Sequence, residues 1–282
     1  MQQELIRCFF HYVWPALPII DACDFLTTWL HDSASVSPLL RWSIFFSAAS
    51  YLEEPLLETH RTPSKLVLKE QYYQAAKDIH DCRAEPDKTV LMQSALLLST
   101  WYIDLEDRDG LTHWTGIAMN LAYTIGLHRT DKYDDVQPPP FPNSIRRIWR
   151  NIWWSIYYRD IWTAFGLGRP MRVNSDDCDV PMPRSDHVFG ADIASLPPEI
   201  RPFVPEHLVD LAEVWLNFLE LSARLEHVLK TYYRPRSPRP TLKQIEQDEH
   251  SIMLCRERLA MPRFHDAPVL ALHVLHVRAY YR

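Results

Sequence analysis

The sequence predicts an all-α protein whose helices pack antiparallel in an irregular bundle or superhelix. Three observations carry that prediction. Apolar residues recur at helical spacing along nearly the whole chain, no segment sustains the strict alternation of a half-buried strand, and proline clusters punctuate the periodic stretches.

The elements follow in order. Periodicity predicts helices over residues 2 to 12, 22 to 31, 37 to 50 and 65 to 84. WPALP (14 to 18) ends the first, because proline removes a backbone donor and clashes with the preceding turn. A helix over 87 to 106 carries the stripe Leu91, Ala95, Leu98, Tyr102 and Leu105, and the acidic turn EDRDG (106 to 110) leads into an antiparallel partner over 110 to 127. There Trp114, Ile117, Leu121 and Ile125 form the facing stripe, while Gly116, Ala118 and Ala122 are small enough for close helix approach. Asp109 is placed to cap the start and Gly126 to cap the end. QPPPFPN (137 to 143) precedes a long helix over 142 to 167. LPPEIRPFVP (196 to 205) and RPRSPRP (234 to 240) bound a helix over 206 to 231, and helices over 241 to 260 and 266 to 282 close the chain. The alternation suggests a tetratricopeptide-like array, but no self-similarity of that period is present.

Composition narrows the function. With 282 residues, 47% hydrophobic and 23% charged, the chain can bury a sizeable core as one large or two small domains. None of its six glycines sits in a GxGxxG or GxxxxGK[ST] spacing, so phosphate-cradling loops are not expected. A formal net charge of -6 gives no global attraction for DNA or for an anionic membrane surface. No apolar run reaches the roughly 20 residues of a membrane span, and the N-terminus lacks the pattern of a secretory leader. The five cysteines are scattered and never arranged as CxxC, which suits buried thiols in a reducing compartment. Cys8 and His11 share a helix face, but no second ligand pair lies close in sequence.

RRIWRNIWWSIYYRD (146 to 160) sets four arginines among three tryptophans and two tyrosines. Aromatics interleaved with cations are how proteins hold single-stranded nucleic acid. Helical geometry favours a core wall instead. At about 100° per residue, Ile145, Trp149, Ile152, Trp153 and Ile156 share one face, while Arg150, Trp154 and Tyr158 line another, where Arg150 can lie over Trp154. Asp160 falls in the sector of Trp149 and Trp153, so it requires a cationic partner if buried, with Arg159, Arg169 and Arg172 nearby. Two further basic features stand out. Residues 146 to 172 hold six arginines against one acid, and RPRSPRP followed by Lys243 reads as a solvated proline linker, with phosphate contact or nuclear import as the alternative.

An all-α enzyme acting on a diphosphate, of the isoprenoid-synthase type, is the enzymatic alternative, invited by the acids of NSDDCDVPMP (174 to 183). Chelation across a helix face needs carboxylates three or four residues apart. Here Asp176, Asp177 and Asp179 run into Val180 and Pro181, which favours an extended loop with the acids hydrogen-bonding backbone or facing arginines such as Arg169 and Arg172. No GxSxG elbow or HExxH motif occurs, and His273 with His276 reads as packing or surface. No catalytic, cofactor-binding or metal-ligating residue is assigned. A helical scaffold that grips partner helices in a groove is a third reading.

Three stretches carry a resemblance. FFHYVWPALPIID (9 to 21), ALLLSTWYIDLEDRDGLTHWTGIAMNLAYTIGLHR (95 to 129) and RRIWRNIWWSIYYRDIWTAFGLGRPMRVNSDDCDVPMP (146 to 183) together resemble the middle homology region of fungal zinc binuclear cluster transcription factors. The likeness lies in the cutinase and acetamidase regulator branch, and it rests on the order of the motifs: Trp14, Pro15 and Pro18, then Gly126 to Arg129, then Trp153 and Trp154, Gly168 to Pro170, and Asp179 to Pro181. It implies a regulatory domain of a transcription regulator in the nucleus, with no enzymatic activity. Implied partners are the transcription machinery or co-regulators, a small-molecule inducer and a second copy as a homodimer, with no membrane. Zinc and DNA would be held by a six-cysteine cluster that five scattered cysteines cannot supply. The chain therefore reads as a fragment, a truncated product, or a regulator without its DNA-reading module. The division expected is a regulatory domain over 1 to 190 and its helical continuation over 191 to 282, ending in mid-pattern. Trp153, Trp154, Asp160, Arg169 and Asp179 are the structural or regulatory candidates.

Overall fold

Short polar side chains start the helices where the sequence offers them. Asp21 accepts from the Asp24 amide at 3.1 Å, Ser64 from Val67 at 3.2 Å and Asp87 from Thr89 at 2.7 Å, each satisfying a first-turn donor that has no partner within the helix. Thr241 and Gln244 form a reciprocal capping box. The computed structural model describes residues 1–60, 64–100, 110–129, 141–190, 196–237, 239–259 and 267–280, and every regular element among them is helical.

The α-helices are α1 (Gln2–Cys8), α2 (Ala22–Asp32), α3 (Pro38–Ala48), α4 (Glu54–Thr59), α5 (Lys65–Asp81), α6 (Lys88–Leu98), α7 (Leu111–Ile125), α8 (Asn143–Leu167), α9 (Ser185–Val188), α10 (Leu208–Tyr232), α11 (Leu242–Glu257) and α12 (Pro268–Ala279). They pack in succession: α3 on α5 and α6, α6 on α7, α7 on α8, and both α8 and α9 on α10. Helices α11 and α12 then cover α10, and α12 returns to the start of the chain. One buried cluster runs from Leu5 to Val277 across residue 190, with Trp14, Trp114, Trp153 and Trp215 fully enclosed. No helix among the described residues is long and apolar enough to cross a membrane.

Several expectations change in detail. The first helix is α-helical only to Cys8, and Phe9–Val13 forms a π-turn whose looser winding leaves the apolar pattern unaltered. Helices α4 and α9 are too short to show a period. Gly116 makes room for an arginine rather than for a helix, since a Cβ there would lie 2.8 Å from Arg172 Nη1, while Ala118 and Ala122 are the residues buried in the packing. Helix α7 begins after Gly110 and ends at Gly126, in the left-handed conformation at φ 80°. The Asp109 cap, the stripe positions Tyr102 and Leu105, and most of EDRDG and QPPPFPN lie outside the described residues.

Candidate functional site

Helix α8 is buried on two faces. Ile152, Trp153 and Ile156 are enclosed as the stripe requires, but Ile145 at its first turn is 39% exposed and Trp149 is half-buried, donating Nε1 to Thr89 Oγ1 at 3.0 Å. The second face is covered as well. Tyr158 is buried and donates to the Ala16 carbonyl at 3.0 Å, while half-buried Trp154 donates to the Pro181 carbonyl at 3.0 Å. Trp153 is enclosed, and Trp149, Trp154 and Trp162 are half-buried with their N–H groups bonded to protein oxygens, so the aromatics of this helix are set into the body as a core wall.

The proline-rich loop after the π-turn is latched by side chains. Prolines cannot join a helical ladder, so its carbonyls need other donors. Asn151 Nδ2 donates to Pro18 O and Val188 O, both at 2.8 Å, Gln93 donates to Ile19 O at 2.7 Å, and Trp14 Nε1 to Ile20 O at 2.8 Å.

Two buried acids organise the opposite end of α8. Asp160 is 2% exposed, and its carboxylate accepts from the Arg172 amide at 2.6 Å, the Val173 amide at 2.8 Å and Arg172 Nε at 3.0 Å. Arg172 is thus the cation among the three expected nearby. Arg159 turns away and donates to the Ser99 carbonyl, and Arg169 donates to Thr112 Oγ1 at 3.2 Å. Glu226, not singled out by sequence, accepts from Tyr157 at 2.6 Å and the Ser175 amide at 3.2 Å, and pairs with Lys230 at 2.7 Å. Burial pushes its carboxyl upward, but the hydrogen bonds of Lys230, Tyr157 and Ser175 outweigh that and hold it below the ordinary 4.5. Burial and the same bond push the Tyr157 hydroxyl far above its ordinary value.

The acidic loop is not wholly extended. Ser175–Asp177 forms a 3-10 turn, Asn174 donates to Asp177 at 2.8 Å, and Asp176 lies 3.4 Å from Lys230 rather than beside Arg169 or Arg172. The Asp179 amide donates to the His128 carbonyl at 3.2 Å, and His128 stands against Trp153 at 6.1 Å. Trp153 and Asp160 are therefore buried in the body, Trp154 is half-buried, and Asp179 and Arg169 are exposed at the surface, Asp179 tied to it through the His128 carbonyl.

On the far side of α8 lies a cavity of about 290 Å³, at the lower end of the range that ligand pockets occupy. The π-turn contributes Tyr12 and Val13, α5 Lys69, α8 Tyr158 and Arg159, α10 Trp215, and α12 His273. Tyr12 stacks on Tyr51 at 5.0 Å to form one wall. His273 is buried, donates Nε2 to the His11 carbonyl at 3.0 Å, and has its pKa lowered by that burial. Sequence could not assemble this site, because its walls come from segments up to 268 residues apart, Tyr12 to Tyr280.

Among the described residues no three His, Cys, Asp or Glu side chains converge as metal ligands. The thiols do not fit a binuclear zinc cluster. Cys8 is buried against Glu4 and the Tyr51 carbonyl, and Cys178 donates to the Asn174 carbonyl at 3.1 Å; burial pushes each up to about 11.

The fold is thus an all-helical body with a latched proline loop and a turn after α8 that Asp160 clamps. The family model for the fungal specific transcription factor domain matches residues 6–257, and the chain belongs to that family. It is 29% identical to cutinase transcription factor 1 beta of Fusarium vanettenii over 83% of this chain and 27% of that protein. It is 32% identical to a transcription factor of Fusarium pseudograminearum over 70% of this chain and 21% of that one. It is 29% identical to the acetamidase regulatory protein of Aspergillus oryzae over 66% of this chain and 23% of that one. The chain thus spans about a quarter of the length of these relatives. No solved structure matches it.

Proposed function

We propose that this chain is the regulatory domain of a nuclear transcription regulator and works by binding and relaying rather than by chemistry. The match of the fungal transcription factor domain over residues 6–257 carries the reading, and the names of the relatives support it. In this account DNA and zinc are held by a separate module of the protein. The helical body responds to a small-molecule inducer, to co-regulators or to a second copy, and passes the response to the transcription machinery.

The diphosphate-enzyme reading loses support from the engagement of its acids. Asp176 is engaged by Lys230, Asp177 by Asn174, and the turn that carries them has no helix face on which to bridge a metal. The test is to tether the chain to an unrelated DNA-binding module in a fungal cell. The fusion is expected to change transcription of a reporter several-fold relative to the module alone, in either direction. An output identical to that of the module alone, from a fusion confirmed to be in the nucleus, would contradict the proposal.

A further inference from the structure

We propose that Ser237 is a phosphorylation site for a proline-directed serine/threonine kinase, and that its phosphate is held by arginines of the same loop, Arg234, Arg236 and Arg239. The loop is the basic proline segment RPRSPRP (234 to 240), which connects α10 to α11 and has no part in the regulatory reading above. Three observations carry the inference.

The first is how the serine is displayed. Arg234, Pro235, Arg236 and Arg239 are exposed and Ser237 is half-buried. The Ser237 amide donates to the Arg234 carbonyl at 3.0 Å, and Arg236 stands at φ 71°. With Pro235 before it, this is a type II turn, whose third position ordinarily takes glycine. An arginine there is strained, so opening the turn to the extended form that a kinase cleft accepts releases strain. Pro238 lies outside the described residues and enters by sequence alone: the residue before a proline is biased to extended backbone, and a proline brings no N–H into the apolar pocket beside the transferred phosphate.

The second is a free hydroxyl among unpaired cations. Neither the Ser237 hydroxyl nor the guanidinium of Arg234, Arg236 or Arg239 has a hydrogen-bond or ion-pair partner among the described residues. Residues 233 to 245 hold these arginines and Lys243 and no acid. A phosphoserine adds about -1.5 to -2 charges and three acceptor oxygens, which guanidinium groups pair in bidentate fashion. The third is contrast with the other serine or threonine residues that precede proline. Ser37 caps α3 and donates Oγ to Glu85 Oε2 at 2.5 Å, so a phosphate there would break the cap and face a carboxylate. Thr62 lies outside the described residues.

The step is phosphoryl transfer from ATP. Ser237 Oγ attacks the γ-phosphorus, the new O–P bond forms as the bond to the β–γ bridging oxygen breaks, ADP leaves, and the hydroxyl proton passes to the catalytic carboxylate of the kinase. The product offsets most of the positive charge of the loop between α10 and α11, so any contact this loop makes with an anion is switched by the modification.

The test treats the purified chain with ATP and a cyclin-dependent kinase and maps the product by peptide mass spectrometry. One phosphate per chain is expected, on Ser237. Incorporation should be lost in Ser237→Ala, unchanged in Ser37→Ala, and reduced about tenfold or more in Pro238→Ala. Phosphorus NMR then reads the second pKa of the phosphate, ordinarily about 6, which nearby cations lower by favouring the dianion. In the folded chain it should lie below its value in a phosphoserine peptide without arginine. Phosphate mapped to Ser37 or Thr62 instead, incorporation that survives Ser237→Ala or is unchanged in Pro238→Ala, no incorporation, or a second pKa equal to that of the reference peptide would each overturn the inference.

Discussion

Asp160 and Arg172 clamp the turn that follows α8: one carboxylate accepts the Arg172 amide, the Val173 amide and the Arg172 guanidinium, at 2.6, 2.8 and 3.0 Å. Through this clamp the Gly-Arg-Pro segment folds back on its own helix and leads the acidic loop toward Glu226 and Lys230. Removing the carboxylate leaves two backbone donors and a guanidinium without their acceptor. Breaking a buried pair from one side costs about 3 to 5 kcal/mol, and the Arg172 side chain is 36% exposed, so Asp160→Ala should cost about 3 kcal/mol. Urea melts against the surface control Glu249→Ala check it. Equal midpoints for the two variants would show that the clamp is not a stabilising element.

Glu226 predicts an acid-side loss of stability. Its folded pKa is lowered, so its contribution is fully present above the unfolded value near 4.5 and is lost as pH falls through the folded value. Stability should therefore decline below about pH 4.5, and Glu226→Gln should flatten that part of the pH profile at the expense of stability at pH 7. Tyr157→Phe removes the shortest of the bonds to this carboxylate and should cost about 1 to 2 kcal/mol at pH 7. A profile for Glu226→Gln parallel to wild type from pH 5 to 3 would contradict the assignment.

The end of α8 offers a pair of opposite substitutions. Gly168 caps the helix at φ 62°, where a Cβ meets nothing within 4 Å, so Gly168→Ala tests backbone strain alone and should cost about 1 to 2 kcal/mol. Gly166 lies inside the helix, exposed and also without neighbours, so Gly166→Ala should stabilise by about 0.5 kcal/mol. Thermal melts of the two variants should move in opposite directions.

Local periodicity made the helices legible, and its limits explain what was missed. Ile152, Trp153 and Ile156 keep their predicted face because the core lies along the middle of α8, whereas Ile145 continues the pattern past the core's edge into solvent. An acid on an apolar stripe is a strong signal, and it marked Asp160. The same signal was present at Glu226, below Leu219 and Ser222 on α10, and would have found the second acid. The choice of Arg172 over Arg159 and Arg169 depends on a turn in the chain that no spacing rule specifies.

The central claim is that the arginine and tryptophan helix is an inner wall of a regulatory body and not a surface for nucleic acid. Fluorescence anisotropy of labelled duplex and single-stranded DNA, titrated with the purified chain at physiological salt, tests it most directly. With a net charge of -6 and the indole N–H groups of Trp149 and Trp154 bonded within the protein, binding is expected to be weak and without sequence preference. Saturable binding at nanomolar concentration with preference for one sequence, lost on Arg150→Ala, would contradict the account.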